Sequence, residues 1–301
     1  MRINSKMIAK DLRLSGYIFK LFSIKNFKKA KFKNIKERKN ISKKTYNVYL
    51  TRDDKTTLRV LVRKSKSNIG VLWLHGGGHV LGKPEMIYLS IVRKLFKKAT
   101  IVSPDYRLNP FTNDLEDCYL TLKWMVKNAD KLNIRKDKIF VGGESAGGGL
   151  TVSLCLLARD KKEVNIAYQI PIYPMLTNEN TLSKEDNNAP IWNEKQNKKA
   201  WEIYLDGVKD INKYALPLLE NDFSCLPPCF SFVGTIDPFY EETKEYVSRL
   251  KKANVEVSFK FFEGCYHAFD MMVPHAKESK EAVDLFLKSF DYAVKYYQKN
   301  N

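Results

Sequence analysis

The segment Lys138-Ile-Phe-Val-Gly-Gly-Glu-Ser-Ala-Gly-Gly-Gly149 sets Gly143, Ser145 and Gly147 in a Gly-x-Ser-x-Gly pattern, between an apolar run suited to a strand and one suited to a helix. A serine on a sharp strand-to-helix turn has its Oγ exposed at the end of the sheet, beside a helix N-terminus where developing negative charge is favoured. Flanking glycines leave room for such a turn. This is where a nucleophile for acyl transfer belongs; the plain alternative is a glycine-rich turn that happens to contain serine.

About 70 residues earlier, Leu72-Trp-Leu-His-Gly-Gly-Gly-His79 follows another apolar run. Attack on a carbonyl builds negative charge on its oxygen, so the site needs backbone N–H groups aimed there, and glycines let backbone approach closely. The N–H groups of Gly77 and Gly78, joined by that of Ala146 just after the serine, are the candidate oxyanion donors. Alone, the glycine run could equally be a loop or a phosphate cradle. Its place before the serine turn favours the oxyanion role.

A serine nucleophile needs a base, and the chain offers His75, His79, His267 and His275. The first two lie in the glycine segment. His267, in Glu263-Gly-Cys-Tyr-His-Ala-Phe269, falls between the last strand-like run and the last helical one, in a loop opening on the same sheet edge as Ser145. His275, next to Pro274, ranks below it. The imidazole in turn needs an acid that orients it and stabilises its charged form. Asp237, in Val233-Gly-Thr-Ile-Asp-Pro-Phe239, ends the preceding strand-like run and gives the chain order Ser, Asp, His. Asp206, Asp222 and Asp270 are substitutes, and an Asp before Pro is also an ordinary turn former.

These residues must be held by a sheet. Tyr46–Leu50 and Leu58–Val62 alternate around a turn-prone stretch, predicting an antiparallel hairpin. Short apolar runs at 70–74, 99–103, 138–142, 164–172, 229–234 and 256–262 read as further strands. Helical patterns fall at 87–97, 114–127, 146–157, 241–253 and 278–299, with a short helical segment around Trp201–Leu205. Such alternation predicts an α/β class with a mainly parallel sheet and helices on both faces. Residues 1–44 read as one or two basic amphipathic helices with Ile8, Leu12, Leu14, Ile18, Phe19 and Phe22 as an apolar stripe.

A chain of 301 residues with 44% apolar and 12% aromatic residues is long and apolar enough for one enzyme-sized domain, which excludes a disordered chain. Five cysteines without a C-x-x-C pair or metal-ligand spacing predict buried free thiols in a reducing compartment and no metal. The charged N-terminus lacks the apolar core of a signal peptide, and no run approaches the roughly 20 apolar residues of a membrane span, so a soluble, cytoplasmic protein is expected. Of the net charge of +18, most comes from residues 1–44, where 15 Lys or Arg face only Asp11 and Glu37. No nucleic-acid-binding motif accompanies it, so no nucleic-acid partner is expected. Peripheral contact with an anionic membrane through the basic N-terminus is a secondary expectation.

Taken together, the chain resembles the hormone-sensitive-lipase-like group of α/β-hydrolases, bacterial carboxylesterases and acetyl esterases. The resemblance runs over roughly 45–301 and rests on His75-Gly-Gly-Gly78, Asp105-Tyr-Arg-Leu108, Gly143-Glu-Ser-Ala-Gly-Gly148, Leu226-Pro-Pro228 leading to Gly234-Thr-Ile-Asp-Pro238, and His267-Ala-Phe269. Departures are Asn109-Pro-Phe-Thr-Asn-Asp114, shorter than the family's Pro-rich loop; Glu144 where the family often has Asp; and His79 where it usually has an aromatic residue. The resemblance implies an α/β-hydrolase fold over 45–176 and 211–301, with a cap built from residues 1–44 and an insertion at 177–210. That cap ranks above membrane contact as the role of the N-terminus. It implies a serine carboxylesterase acting on a small-molecule ester of acetyl-like chain length through Ser145, Asp237 and His267, with no cofactor, and leaves a homodimer open. An amidase or peptidase with the same triad, and a non-catalytic small-molecule receptor on the same scaffold, are the competing expectations.

Overall fold

The alternation in Tyr46-Asn-Val-Tyr-Leu50 and Leu58-Arg-Val-Leu-Val62 produces a ribbon, and Lys55 between them takes the left-handed conformation of a tight turn, at a φ of 67°. The computed structural model, which describes residues 2–21 and 44–299, pairs β1 (Thr45–Thr51) with β2 (Thr57–Arg63) antiparallel, Tyr46 opposite Val62 and Leu50 opposite Leu58. The continuous apolar runs become strands buried on both faces: β3 (Gly70–Leu74), β4 (Thr100–Pro104), β5 (Ile139–Glu144), β6 (Tyr168–Ile172) and β7 (Cys229–Gly234). β8 (Val257–Phe262) forms the far edge. The sheet order is β1-β2-β4-β3-β5-β6-β7-β8, antiparallel through β1, β2 and β4 and parallel from there on.

In chain order the helices are α1 (Arg13–Leu21), α2 (Asn113–Lys127), α3 (Ala129–Leu132), α4 (Ala146–Lys161), α5 (Glu194–Tyr204), α6 (Tyr240–Lys252), α7 (Phe269–Met272) and α8 (Lys277–Tyr296). Alternation along β3 sorts them into two layers. Leu72 and Leu74 face a core shared with α2, α4 and α6, whereas Val71 and Trp73 face one shared with α8. In α8 the buried residues Ala282, Phe286, Phe290 and Ala293 recur on one helical stripe, with Phe286 6.3 Å from Trp73 and Phe290 5.7 Å from Phe140. Burying each such ring contributes about 1.5–3 kcal/mol. Phe286→Ala would remove that and leave a cavity under the strand that leads into the glycine segment.

Several elements differ from the sequence pattern. Residues 87–97 are not one helix but two 3₁₀ turns, Pro84–Tyr88 and Ile91–Leu95, interrupted where the Ser90 hydroxyl accepts from the Val92 N–H. The run at 164–172 is a strand only from Tyr168, although Val164, Ile166 and Ala167 are buried. Helix α5 starts seven residues before Trp201, capped by the Asn193 side chain, which accepts from the Gln196 N–H. Its buried face includes Gln196 and Asn197, so a polar sequence conceals an inward-facing helix. Four cysteines are buried free thiols, and Cys225 is exposed at a left-handed turn.

The N-terminal segment is 3₁₀ turns at Ser5–Met7 and Lys10–Leu12, followed by α1. Ile3, Ile8 and Leu12 are buried, but Leu14 and Ile18 of the expected stripe face solvent; Phe22 lies outside the described residues. The burial follows from docking geometry. The Ile3 N–H donates to Asn188 Oδ1 at 2.7 Å and the Ala9 N–H to the Gly264 carbonyl at 2.9 Å, fixing which side of the segment faces inward. Most of the basic N-terminal residues fall at 22–43, outside the described residues. Among the described residues, no helix is long and apolar enough to cross a membrane and no His, Cys, Asp or Glu cluster could hold a metal.

Candidate active site

Ser145 stands between β5 and α4 with a φ of 61° and ψ of −122°, a conformation that L-residues rarely adopt. Its backbone is held there from three sides. The N–H donates to the Ile172 carbonyl at 3.0 Å, and the Ser145 carbonyl accepts from Gly149 and Met175 at 3.0 and 3.1 Å. Gly147 is obligatory for close approach, since a Cβ there would fall on the carbonyl oxygens of Leu74 and His75. The turn thus presses against the end of β3, bringing Ser145 and the glycine segment together.

His267, in the loop after β8, places Nε2 2.9 Å from Ser145 Oγ, and its Nδ1 lies 2.8 Å from Asp237 Oδ2. The other carboxylate oxygen of Asp237 accepts from the Phe239 N–H at 2.9 Å, which fixes the plane of the group. All three side chains are buried, and the rings of Tyr173 and Phe239 pack edge-on against the imidazole at 4.8 and 5.1 Å. Dry walls strengthen the interactions along this line. The other sequence candidates do not pair with His267. Asp206 and Asp222 are exposed, as is His275, and Asp270 is buried but accepts from the Tyr173 hydroxyl at 3.0 Å.

Gly77 and Gly78 both take left-handed backbone conformations, with φ of 128° and 61°. Among the described residues, none accepts a hydrogen bond from the N–H of Gly77, Gly78 or Ala146. All three line or adjoin a cavity of about 860 Å³ that reaches Ser145 and His267 and is walled by Met86, Leu89, Ile91 and Trp192. Buried donors without acceptors are costly, so these N–H groups are open to an acceptor in the cavity.

Supporting groups emerge that sequence spacing does not reveal. His75 lies beneath the glycine segment, stacked 4.1 Å from Tyr106, whose hydroxyl donates to the His75 carbonyl at 2.5 Å. Burial lowers the His75 imidazole to about 4, so it is a neutral packing group rather than a base. Glu144 is buried beside the serine, its Oε2 accepting from Trp73 Nε1 at 2.6 Å and from Ser90 Oγ at 3.2 Å; burial pushes its carboxyl up to about 8. Asp270, facing the same cavity, is pushed up to about 6 for the same reason. His79 pairs with Asp114 at 2.8 Å. No fixed spacing rule links these partners, which lie 31 to 71 residues apart along the chain.

A parallel sheet with an antiparallel edge, a strained serine on the turn after β5, and a hydrogen-bonded Asp237 and His267 on loops following β7 and β8 define the α/β-hydrolase class. A family model described as alpha/beta hydrolase fold matches residues 71–271. The chain is 31% identical to an arylesterase of Saccharolobus solfataricus over 232 residues, 72% of this chain and 74% of that one. It is 28% identical to the carboxylesterase NlhH of Mycobacterium tuberculosis over 222 residues, 69% of this chain and 70% of the other. A solved structure of an esterase from the archaeon Pyrobaculum calidifontis superposes with a TM-score of 0.77 at 28% identity, covering 98% and 94% of the two chains. The chain belongs to the hormone-sensitive-lipase-like family of α/β-hydrolases.

Proposed function

We propose that the protein is a serine carboxylesterase that hydrolyses short-chain acyl esters of small molecules through an acyl-enzyme intermediate. The observation that carries this reading is the unbroken hydrogen-bonded line from Asp237 through His267 to Ser145, ending beside a cavity with unengaged N–H donors. His267 Nε2 takes the proton of Ser145 as Oγ bonds to the ester carbonyl carbon, and Asp237 stabilises the imidazolium that results. The carbonyl oxygen gains the negative charge at Gly77, Gly78 and Ala146. Collapse of the tetrahedral adduct breaks the bond to the alkoxy oxygen, which leaves with the proton from His267. Water, deprotonated by the same imidazole, then releases the acid and returns Ser145 to its starting state.

An acetyl-sized group takes a small part of a cavity of about 860 Å³, leaving most of it to the alcohol. Phe19 from the N-terminal segment and Ile191 and Trp192 from the 177–210 segment contribute to its walls, which supports a cap formed by these two stretches. The names of the arylesterase and carboxylesterase relatives support ester over amide bonds. The test is turnover of p-nitrophenyl esters of increasing chain length, with a matched anilide, by the protein and by Ser145→Ala. Acetyl to butyryl esters should be preferred and Ser145→Ala inactive and unlabelled by a fluorophosphonate. Retained turnover in Ser145→Ala would sink the mechanism; a preference for decanoyl esters would overturn only the chain length.

A further inference from the structure

His79 follows the glycine pair directly, yet the hydrolysis just described gives it no task. It is buried, with a φ of 60°, and its Nδ1 lies 2.8 Å from Asp114 Oδ2. Its ring stacks on that of Tyr204, with centroids 3.8 Å apart and planes 17° from parallel. The Tyr204 hydroxyl completes the triangle, donating to Asp114 Oδ1 at 3.1 Å, and the Leu115 N–H donates to the same oxygen at 2.8 Å. Three elements meet at this point: the glycine segment after β3, the first turn of α2, and the last turn of α5. The Tyr204 carbonyl adds a further tie, accepting from the Phe111 N–H at 3.1 Å.

We propose that His79 is a positioning residue that sets the direction of the Gly77 and Gly78 N–H groups, and that Asp114 and Tyr204 make this setting conditional on helix α5 being docked. The proposal rests on the reading of Gly77 and Gly78 as oxyanion donors. The plane carrying the Gly77 N–H is tied through the Gly76 carbonyl to His75 Nδ1 at 2.9 Å, and the plane carrying the Gly78 N–H through the Gly77 carbonyl, which accepts from the Val80 and Leu81 N–H groups at 3.2 Å. His79 lies inside that second turn, so its locked side chain sets where the turn sits. A buried carboxylate is stable only while its donors are in place. Asp114 draws its side-chain donors from His79 and Tyr204, so withdrawing α5 removes the hydroxyl and the stacked ring together. The imidazole is then free to turn, and the turn from Gly77 to Leu81 loses its side-chain anchor. In this arrangement the 177–210 segment governs the rate of the chemical step as well as the shape of the cavity.

Three substitutions test it. His79→Phe keeps the stacked ring and removes the hydrogen bond, Tyr204→Phe keeps the ring and removes the hydroxyl, and His79→Asn restores a donor near the Nδ1 position. On p-nitrophenyl acetate, His79→Phe should lower kcat about tenfold to a hundredfold, the range expected when oxyanion donors lose their aim, with KM within about twofold. Affinity for a boronic acid that mimics the tetrahedral adduct should fall in parallel, while fluorophosphonate labelling of Ser145 still goes to completion. Tyr204→Phe should show a smaller loss of the same kind, and His79→Asn should recover most of kcat. An unchanged kcat in His79→Phe, a change confined to KM, or His79→Asn no better than His79→Phe would overturn the proposal. If His79→Phe does not fold, the kcat and boronate readouts of Tyr204→Phe decide it. Ser145→Ala separates the two levels: inactivity there with normal His79→Phe refutes the positioning role alone, whereas activity there refutes the esterase mechanism beneath it.

Discussion

Trp192 lies so close over Gly78 that a Cβ on that glycine would sit 2.5 Å from the indole Cη2. The 177–210 segment therefore rests directly on the glycine segment. Gly78→Ala meets two penalties, the collision and about 1–2 kcal/mol for an L-residue at a φ of 61°. We expect it to lower kcat/KM for p-nitrophenyl acetate at least about tenfold, the cost of displacing a single donor being of that order or greater. Adding Trp192→Ala should recover only part of the loss, because it removes the collision and leaves the backbone strain.

Asp237→Asn should reduce kcat by about 10⁴-fold while leaving the melting temperature nearly unchanged. Both carboxylate oxygens of Asp237 accept, one from the Phe239 N–H and one from His267 Nδ1. An amide can keep only one of these acceptances. If its oxygen stays on Phe239, its NH₂ faces the imidazole and forces the proton to Nε2, where it opposes Ser145. Steady-state kinetics on a short aryl ester, with calorimetry, checks both halves.

Glu144 links pH to stability. Its carboxyl is raised by burial from an ordinary 4.5 to about 8, so the fold favours the protonated form. That contribution is complete below the ordinary carboxylate value and is lost as pH rises towards 8. The melting temperature of Glu144→Gln minus that of the unchanged protein should accordingly be smallest near pH 4.5 and grow more positive up to pH 8. Asp270, raised to about 6, acts in the same sense over a lower window and leaves the variant with residual pH dependence there. A difference that is flat across this range would refute the assignment.

Lys184 and Glu242 form a buried ion pair between the 177–210 segment and α6; Lys184 also donates to the Thr177 carbonyl at 2.6 Å, and Glu242 accepts from the Leu176 N–H at 2.8 Å. Lys184→Met strands a buried carboxylate and should cost about 3–5 kcal/mol in urea unfolding. Combining it with Glu242→Gln, which removes the stranded charge, should return part of that loss.

The strand-to-helix turn at Ser145, the loops that carry Asp237 and His267, and the β1–β2 hairpin were legible because each follows from a local pattern. Glycine spacing, alternation and apolar runs all act within about ten residues. What lay beyond reach was tertiary. Helix α5 hides its inward face behind Gln196 and Asn197, and nothing near His79 announces Asp114. The N-terminal stripe misled for a related reason: helical spacing alone includes Leu14 and Ile18, whereas the contacts of Ile3 and Ala9 choose a different side.

The docking of the first residues onto the loop that carries His267 has a consequence for how the molecule is made. Ala9 bonds to Gly264, and the Ser15 hydroxyl lies 3.1 Å from that of Tyr266, a pairing that spans 251 positions. Residues 9–15 must therefore wait for these partners until synthesis has passed Tyr266, some 251 positions later. A ribosome-bound fragment ending before Gly264 contains the serine turn and the glycine segment in full, but has neither His267 nor the loop on which Ala9 and Ser15 come to rest.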